Sequence, residues 1–487
     1  MSGNPIKNNH LMNSLVFTPS QEKAFANILA FLEDKDAKVF ILKGYAGTGK
    51  TTMMRFLIEE MNRRKENYSL LASTGRAAKI LANATETEAR TVHAEIYKFT
   101  DLNQDLESVV SSREENKMDS TGQLYLNFDL KPVERESLDS VYYYIVDEAS
   151  MISDAIDKTS TQAKFGSGKL LTDLLKYDLC GKFIFVGDIC QLPPVSQKIS
   201  PALNAKYIES NFSVKVYESE LLDVVRQSDN NDIAIASKKI RKLYYNPQPW
   251  TWAKFPLLGY KNIKVLNSQA ELVACYIDNV KKDGFNKSTL IGFSNKQCGL
   301  TTQILRPSFG HLSNTVEKGD LLLITQNNLI SGLMNGDLVT VEEVIIQERK
   351  AGLTFLKVSV KELFTSRTFS QLMIAELLYS NQTNLNPSQQ KELYIDYYYR
   401  MKEQRISQKS ELFKKNMMTD PYLNALRAVF GYVLTCHKSQ GGEWDTVYLD
   451  IPMSVSALPK PYVYQWIYTA MTRAKKELYL VRDFWII

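Results

Sequence analysis

Cysteine is scarce in this chain. The five present (Cys180, Cys190, Cys275, Cys298, Cys436) are scattered with no CxxC pair, which speaks against a disulfide framework or a zinc site and for reduced, intracellular thiols. Histidine is scarcer still, at four residues (His10, His93, His311, His437). No uncharged apolar run of about 18 residues occurs, so no membrane-spanning helix is expected. The N-terminal MSGNPIKNNHLMNSLVF has no basic start leading into a long apolar stretch, which points away from a secretory leader and toward the cytoplasm. Internal repeats and low-complexity segments are missing too. A net charge of +5 is too mild to imply a polyanion partner by itself.

The composition, 44% hydrophobic and 23% charged, is that of a soluble globular protein. At 487 residues, a norm of roughly 100 to 200 residues per domain suggests about three or four domains. Four apolar runs read as buried parallel strands: Ala37 to Gly44, Tyr68 to Thr74, Ser140 to Glu148 and Gly181 to Asp188. Helix-like stretches lie between them (Thr51 to Arg64, Arg76 to Asn83, Gly168 to Leu179). Such alternation predicts a doubly wound sheet with its chemistry at the strands' carboxyl ends. NIKVL, STLIGFSN, WDTVYLDI and ELYLV suggest a second α/β sheet. It is interrupted from near Gly319 by short strands that fit a small barrel. From Phe369 to Lys415 the pattern turns helical, with a break at Pro387. Lys391 to Met418 carries seven Lys or Arg against four Asp or Glu around Tyr397, Tyr398 and Tyr399. This arm is read either as solvated or as a nucleic-acid contact. An acidic insert lies at about Thr100 to Asp139, where LESVVSS and GQLYLNFDL are expected to pair as a hairpin.

GYAGTGKT, Gly44 to Thr51, follows its strand directly and opens a helix, the context that the phosphate-binding G-x-x-x-x-G-K-[ST] loop requires. Backbone N–H groups of Gly44, Ala46, Gly47, Thr48, Gly49 and Thr52 cradle phosphates there, Lys50 reaches the outer ones, and Thr51 can hold magnesium. In VDEAS, Asp147 can enter a magnesium shell and Glu148 can polarise a water. In GDICQLPPV, Gln191 either reads a terminal phosphate or belongs to a proline-bent turn. The polar loop TCHKSQGGEWD is open to a metal, a phosphate or a structural reading. The metal reading is weakest, since His437 has only Cys436 beside it.

Taken in order, GYAGTGKT, STGRAAKIL, ARTVHAEIY, IVDEASMI, GDICQLPPV, DVVRQ, FSNKQ, TCHKSQGGEWD and YTAMTRAKKELYLV resemble superfamily 1 helicases of the RecD-like and phage Dda-like group. The resemblance runs from Gln21 to Val481. It implies an α/β fold of two RecA-like domains with ATP and magnesium between them, and movement along single-stranded DNA from 5′ to 3′. The implied layout has a first domain at 1–99 and 140–215 with a hairpin or pin insert at 100–139. A second domain at 216–318 and 419–487 carries an SH3-like barrel and helical arm at 319–418.

Carried over by motif, Gln21 recognises adenine, Lys50 and Thr51 serve phosphates and magnesium, and Asp147 and Glu148 serve metal and water. Gln191 senses the terminal phosphate, which Arg226 and Arg473 reach from the second domain. Glu443 lies near ATP, while His437, Lys438, Ser439 and Gln440 hold DNA. Thr74, Arg76, Thr91 and His93 face DNA in the first domain, and Asn295 in the second. Tyr125 and Phe128 are the candidates for an aromatic strand-separating tip. The partners implied are single-stranded DNA and duplex junctions, with no membrane, and the working form is a monomer. An RNA helicase and an ATP-switched binding protein are the rival readings; the set Glu148, Gln191, Arg226 and Arg473 argues against the switch.

Overall fold

The structure is a computed structural model that describes residues 17–487 apart from 115–122, 134–140, 157–162, 196, 224–230, 314 and 381. Its first sheet has six strands in the order Ala89–Thr91, Asn67–Ala72, Tyr142–Asp147, Lys182–Gly187, Ala37–Gly44, Lys215–Leu221, every neighbouring pair parallel. The central strand AKVFILKG is apolar on both faces because both are covered. Phe40 and Leu42 pack with Ile28 and Phe31 of helix Pro19–Glu33 and Leu57 of helix Lys50–Arg64. Val39 and Ile41 face the opposite core with Leu171 and Leu174. A second, five-stranded parallel sheet runs Ile263–Leu266, Ala474–Val481, Trp444–Leu449, Ser288–Gly292, Val433–Thr435. Two parallel sheets flanked by helices give the RecA-like α/β architecture.

Between the second and last parts of that sheet lies an antiparallel five-stranded unit, ordered Thr368–Ile374, Leu353–Glu362, Leu338–Lys350, Leu321–Ile324, Ala428–Phe430. Ala351 and Gly352 join its two longest strands with φ of 50° and 72°, the left-handed pair that a two-residue hairpin turn demands. Its edges meet: the Ile374 N–H donates to the Leu426 carbonyl at 3.0 Å, and the Leu426 N–H to that of Leu372 at 2.8 Å. The sheet therefore closes into a barrel. Phe369 to Ile374, expected to be helical, belongs to an edge strand of this sheet, because pairing with Leu353–Glu362 outweighs a local pattern that does not separate the two states. Helices begin at Glu376 and again at Pro387, where Asn386 and Gln389 form a capping box.

The insert in the first domain also departs from expectation. Leu106–Glu114 is an α-helix, and Leu126–Leu130 pairs antiparallel with Tyr97–Leu102 instead. Leu106, Val109 and Val110 fall at i, i+3 and i+4, one helical face. That face is buried in a cluster with Tyr394, Tyr398 and Met401 of the arm helix Pro387–Glu403. The arm is accordingly docked rather than solvated there: Tyr397 and Tyr398 are buried, and Tyr399 is exposed. Tyr125 and Phe128 are half-buried. Phe128 lies in a cross-strand row with Phe99 and Phe165, its ring 4.7 Å from that of Phe165, so it is a row member rather than a free tip.

Candidate functional site

The P-loop conformation follows from its glycines. Gly47 and Gly49 have φ of 81° and 85°, and a Cβ on Gly44 would stand 2.8 Å from Thr48 Oγ1 and 2.9 Å from Lys50 Cγ, so larger residues would spread the loop. Lys50 Nζ donates to the carbonyls of Gly44 at 2.9 Å and Tyr45 at 3.1 Å. Gln21 lies beneath the loop, its amide donating to the Thr48 carbonyl at 3.1 Å and accepting from the Thr18 N–H at 3.0 Å. Thr51 is exposed and Thr52 half-buried at the start of the following helix.

Three acidic groups end adjacent parallel strands beside this loop. Burial, then the charge of Glu148, pushes the Asp147 carboxyl well above the usual carboxylate range, with Lys50 opposing. Glu148 sits at φ 49°, and its Oε2 is buried without a partner among the described residues. Asp188, fully buried, is raised by burial and held down by Lys50 and by the Tyr468 hydroxyl. Gln191 Oε1 is likewise buried and unpartnered among the described residues. Magnesium takes oxygen ligands and keeps several waters or phosphate oxygens. The Asp147 carboxylate and the Thr51 hydroxyl are donors of that kind, and a carboxyl raised by burial and a like charge is one that a dication would stabilise.

The second domain closes on this site through helix Tyr462–Met471, buried all round because it is packed between the two domains. The Ala46 N–H donates to the Tyr468 hydroxyl at 2.9 Å, and that hydroxyl donates to Asp188 at 2.7 Å. Gln465 donates to the carbonyls of Ile189 at 3.1 Å and Gln191 at 3.0 Å, and the Leu192 N–H donates to Thr469 Oγ1 at 2.9 Å. The sequence reading missed Asp188, Gln465 and Tyr468, although two of them lie inside the motifs GDICQLPPV and YTAMTRA. Arg473 is buried with its Nε donating to the Thr469 carbonyl at 2.9 Å and Nη2 to Thr472 Oγ1 at 3.2 Å, both in its own domain. Arg226 lies outside the described residues.

Among the expected nucleic-acid contacts, several polar groups are already used locally. Thr74 and Thr91 cap helices, their hydroxyls accepting from the N–H groups of Ala77 at 3.2 Å and Ala94 at 3.1 Å. Arg76 is buried, its guanidinium between the rings of Trp444 (4.7 Å) and Phe364 (5.0 Å), and burial lowers it to about 10. It therefore joins the first domain to the second rather than lining an open groove. Next to it, Lys79 pairs with Asp337 and with Glu362 at 2.8 Å, tying the same helix to the barrel. His93 packs edge-on against Phe165, 5.0 Å away.

In the polar loop, Thr435 caps helix Cys436–Ser439. Ser439 is fully buried and donates to the Cys436 carbonyl at 2.8 Å, and Gln440 reaches the Leu192 carbonyl across the domain boundary at 3.5 Å. His437 and Lys438 are half-buried, and burial lowers the pKa of each. Asn295, which opens helix Asn295–Ser308, and Glu443, 3.8 Å from Lys475, both stand exposed. The structure thus gathers Gln191, Gln440 and Arg473 around one interdomain helix and leaves Asn295 and Glu443 at the surface.

A family model described as an AAA domain matches residues 16–243, and one described as a UvrD-like helicase C-terminal domain matches 430–481. The chain is 24% identical to an uncharacterised protein of Methanocaldococcus jannaschii over 91% of this chain and 36% of that protein. It is 22% identical to an uncharacterised protein of Acanthamoeba polyphaga mimivirus over 95% and 99%. With the ATP-dependent DNA helicase dda of Enterobacteria phage T4 it shares 26% identity over 63% of this chain and 61% of that one. The chain thus spans about a third of the first relative's length and about three fifths of the phage helicase's. A solved Pif1 helicase from Bacteroides matches at 15% identity and a TM-score of 0.46, over 96% of this chain and 93% of that one. The two family models in this order, the alignment with the phage protein and the motifs running from Gln21 to Arg473 make the chain similar to superfamily 1 helicases of the Dda-like group.

Proposed function

We propose that the chain is an ATP-hydrolysing motor that moves along single-stranded DNA, 5′ to 3′, and parts the duplex ahead of it as a cytoplasmic monomer. The observation that carries this reading is the Tyr468 hydroxyl, which bonds the P-loop at Ala46 and the carboxylate of Asp188 from the second domain. A nucleotide that changes the loop must change that contact, so chemistry at the phosphates becomes a domain movement. The phage relative, an ATP-dependent DNA helicase, supports the choice of DNA.

In this reading the loop from Gly44 to Thr52 cradles the phosphates, Lys50 leaves its carbonyl partners for them, and Gln21 supports the loop near the adenine. Asp147 and Thr51 hold magnesium, whose charge would neutralise the phosphates. Glu148 orients the attacking water, its unpartnered Oε2 being free to accept from it. Gln191 reads the terminal phosphate. Arg226 and Arg473 supply transition-state charge, a contribution worth roughly 10³ to 10⁵ in rate for such arginines. For Arg473 this requires release from the Thr469 carbonyl. His437 and Lys438 grip DNA phosphates, which gives hold without sequence reading. Arg76, Thr74 and Thr91 then act mainly by shaping the channel wall.

The test is steady-state ATPase activity alone and with single-stranded DNA, single-stranded RNA or blunt duplex, beside Lys50→Ala. Strong stimulation by single-stranded DNA, lost in Lys50→Ala with DNA binding retained, is expected. Stimulation by RNA alone would move the assignment to an RNA motor. No stimulation by any of them would favour a nucleotide switch.

A further inference from the structure

The helix Asp232–Tyr245 carries Ile233, Ala236 and Ile240 into the second-domain core and turns Arg241 toward the P-loop. The Arg241 guanidinium lies 3.8 Å from the centre of the Tyr45 ring, the second residue of GYAGTGKT. Tyr45 is itself fixed, donating to Glu220 and sharing a 2.9 Å hydrogen bond with the Tyr245 hydroxyl. Arg241 is only 9% exposed. Among the described residues it makes no salt bridge, and its Nη1 is buried without a hydrogen-bond partner. An arginine usually meets a carboxylate or a phosphate when it is buried. Here the ring face offsets part of the desolvation, but the donors remain unspent, and an unmade hydrogen bond on a buried charged group is costly.

The neighbourhood identifies what would complete it. Asp188 lies within electrostatic reach of both Lys50 and Arg241 and is bonded by Tyr468. Lys50 and Arg241 thus act on the same carboxyl, and Lys50 Nζ donates at 3.1 Å to the carbonyl of Tyr45, the residue on which Arg241 stacks; that lysine meets the outer phosphates in P-loop proteins. A guanidinium is a planar fork suited to a phosphate with two free oxygens, as the last phosphate of a chain has.

We propose that Arg241 is a nucleotide-binding residue, its unspent donors receiving the terminal phosphate of a nucleoside triphosphate seated on the P-loop. This rests on the P-loop reading above and adds a residue that no motif marks: DIAIASKKIRKLYY reads as an ordinary amphipathic helix. Because the group is supplied by the second domain, it would distinguish triphosphate from diphosphate and draw the cleft shut on the former.

The experiment measures equilibrium binding of the non-hydrolysable triphosphate analogue AMP-PNP and of ADP to the full chain, its R241M variant and its R241K variant. R241M is expected to weaken AMP-PNP by about ten-fold or more and ADP by less than about two-fold, with R241K between. Equal weakening of both ligands, or of neither, would make Arg241 a mere support for Tyr45 and overturn the proposal. Should R241M lose its cooperative unfolding, R241K decides: the proposal stands only if its AMP-PNP loss exceeds its ADP loss. A parent chain that binds neither ligand would bring down the P-loop reading itself, and this inference with it. A parent that prefers the triphosphate, matched by both variants, would sink this inference alone.

Discussion

Removing one oxygen, as Tyr468→Phe does, should loosen the closed cleft without opening a cavity, because the ring stays. Two hydrogen bonds disappear. One, from the Ala46 N–H at 2.9 Å, is neutral; the other, to Asp188 at 2.7 Å, involves a buried acid. A neutral bond contributes about 0.5–1.5 kcal/mol and one to a charged group about 1.5–3 kcal/mol. Asp188 keeps the Cys190 N–H at 2.9 Å, so it is not left wholly bare. The expected loss is then about 2–4 kcal/mol, borne by the closed arrangement, since the partners belong to different domains. At about 1.4 kcal/mol per factor of ten, that is on the order of 30- to 1,000-fold in the closure equilibrium. Single-molecule energy transfer between dyes on the two domains reads closure directly, and the KM for ATP should rise about ten-fold or more while each domain's unfolding changes little. An unchanged distance distribution with KM within about two-fold of the parent would refute the reasoning, and the hydroxyl would be an ordinary satisfied core group.

Three further outcomes are expected. Leu106→Ala, at a fully buried position shared by the insert and the arm, should cost about 2–5 kcal/mol locally. Faster hydrogen exchange in both 97–114 and 387–403 would show it, and unchanged protection would refute it. Gly442→Ala would place a Cβ 2.6 Å from the Arg76 guanidinium carbon and from Trp444, an overpacking of roughly 1–3 kcal/mol; an unaltered thermal midpoint would contradict the fit described. His437 has its pKa lowered by burial, so the unfolded chain takes up the proton first. Its stabilising share is present above about pH 6.5 and is lost as pH falls toward the folded value. Urea midpoints from pH 7.5 to 5.5 should fall less steeply in His437→Gln, and parallel slopes would exclude the effect.

What was legible in the sequence was whatever local chemistry dictates. The P-loop could be read because its glycines, lysine and threonine must stand together after a strand, and the two parallel sheets because strands covered on both faces are apolar throughout. The insert was misread because LESVVSS admits both periods. What selects the helix is a partner face, Tyr394 to Met401, far along the chain. Arg76 carried no sign of burial, since the ring that receives it, Trp444, comes from the other domain. Thr74 and Thr91 did carry a signal, a threonine just ahead of a helix, that marks a cap as readily as a ligand. Arg241 had none, for its meaning depends on Tyr45 lying beneath it.

Closure of the barrel between Ile374 and Leu426 bears on how the molecule tolerates change. The chain leaves the barrel after one of these residues and re-enters at the other, so the ends of the whole arm are fastened side by side by main-chain bonds. Lengthening such a closed excursion costs only about 0.6 kcal/mol per doubling, while Leu385 and Leu393 of the arm stay packed on Leu353 and Phe355 of the barrel in one buried cluster. The arm is in this sense a tethered excursion: its exposed outer face can change while the faces that meet the insert and the barrel are held by packing.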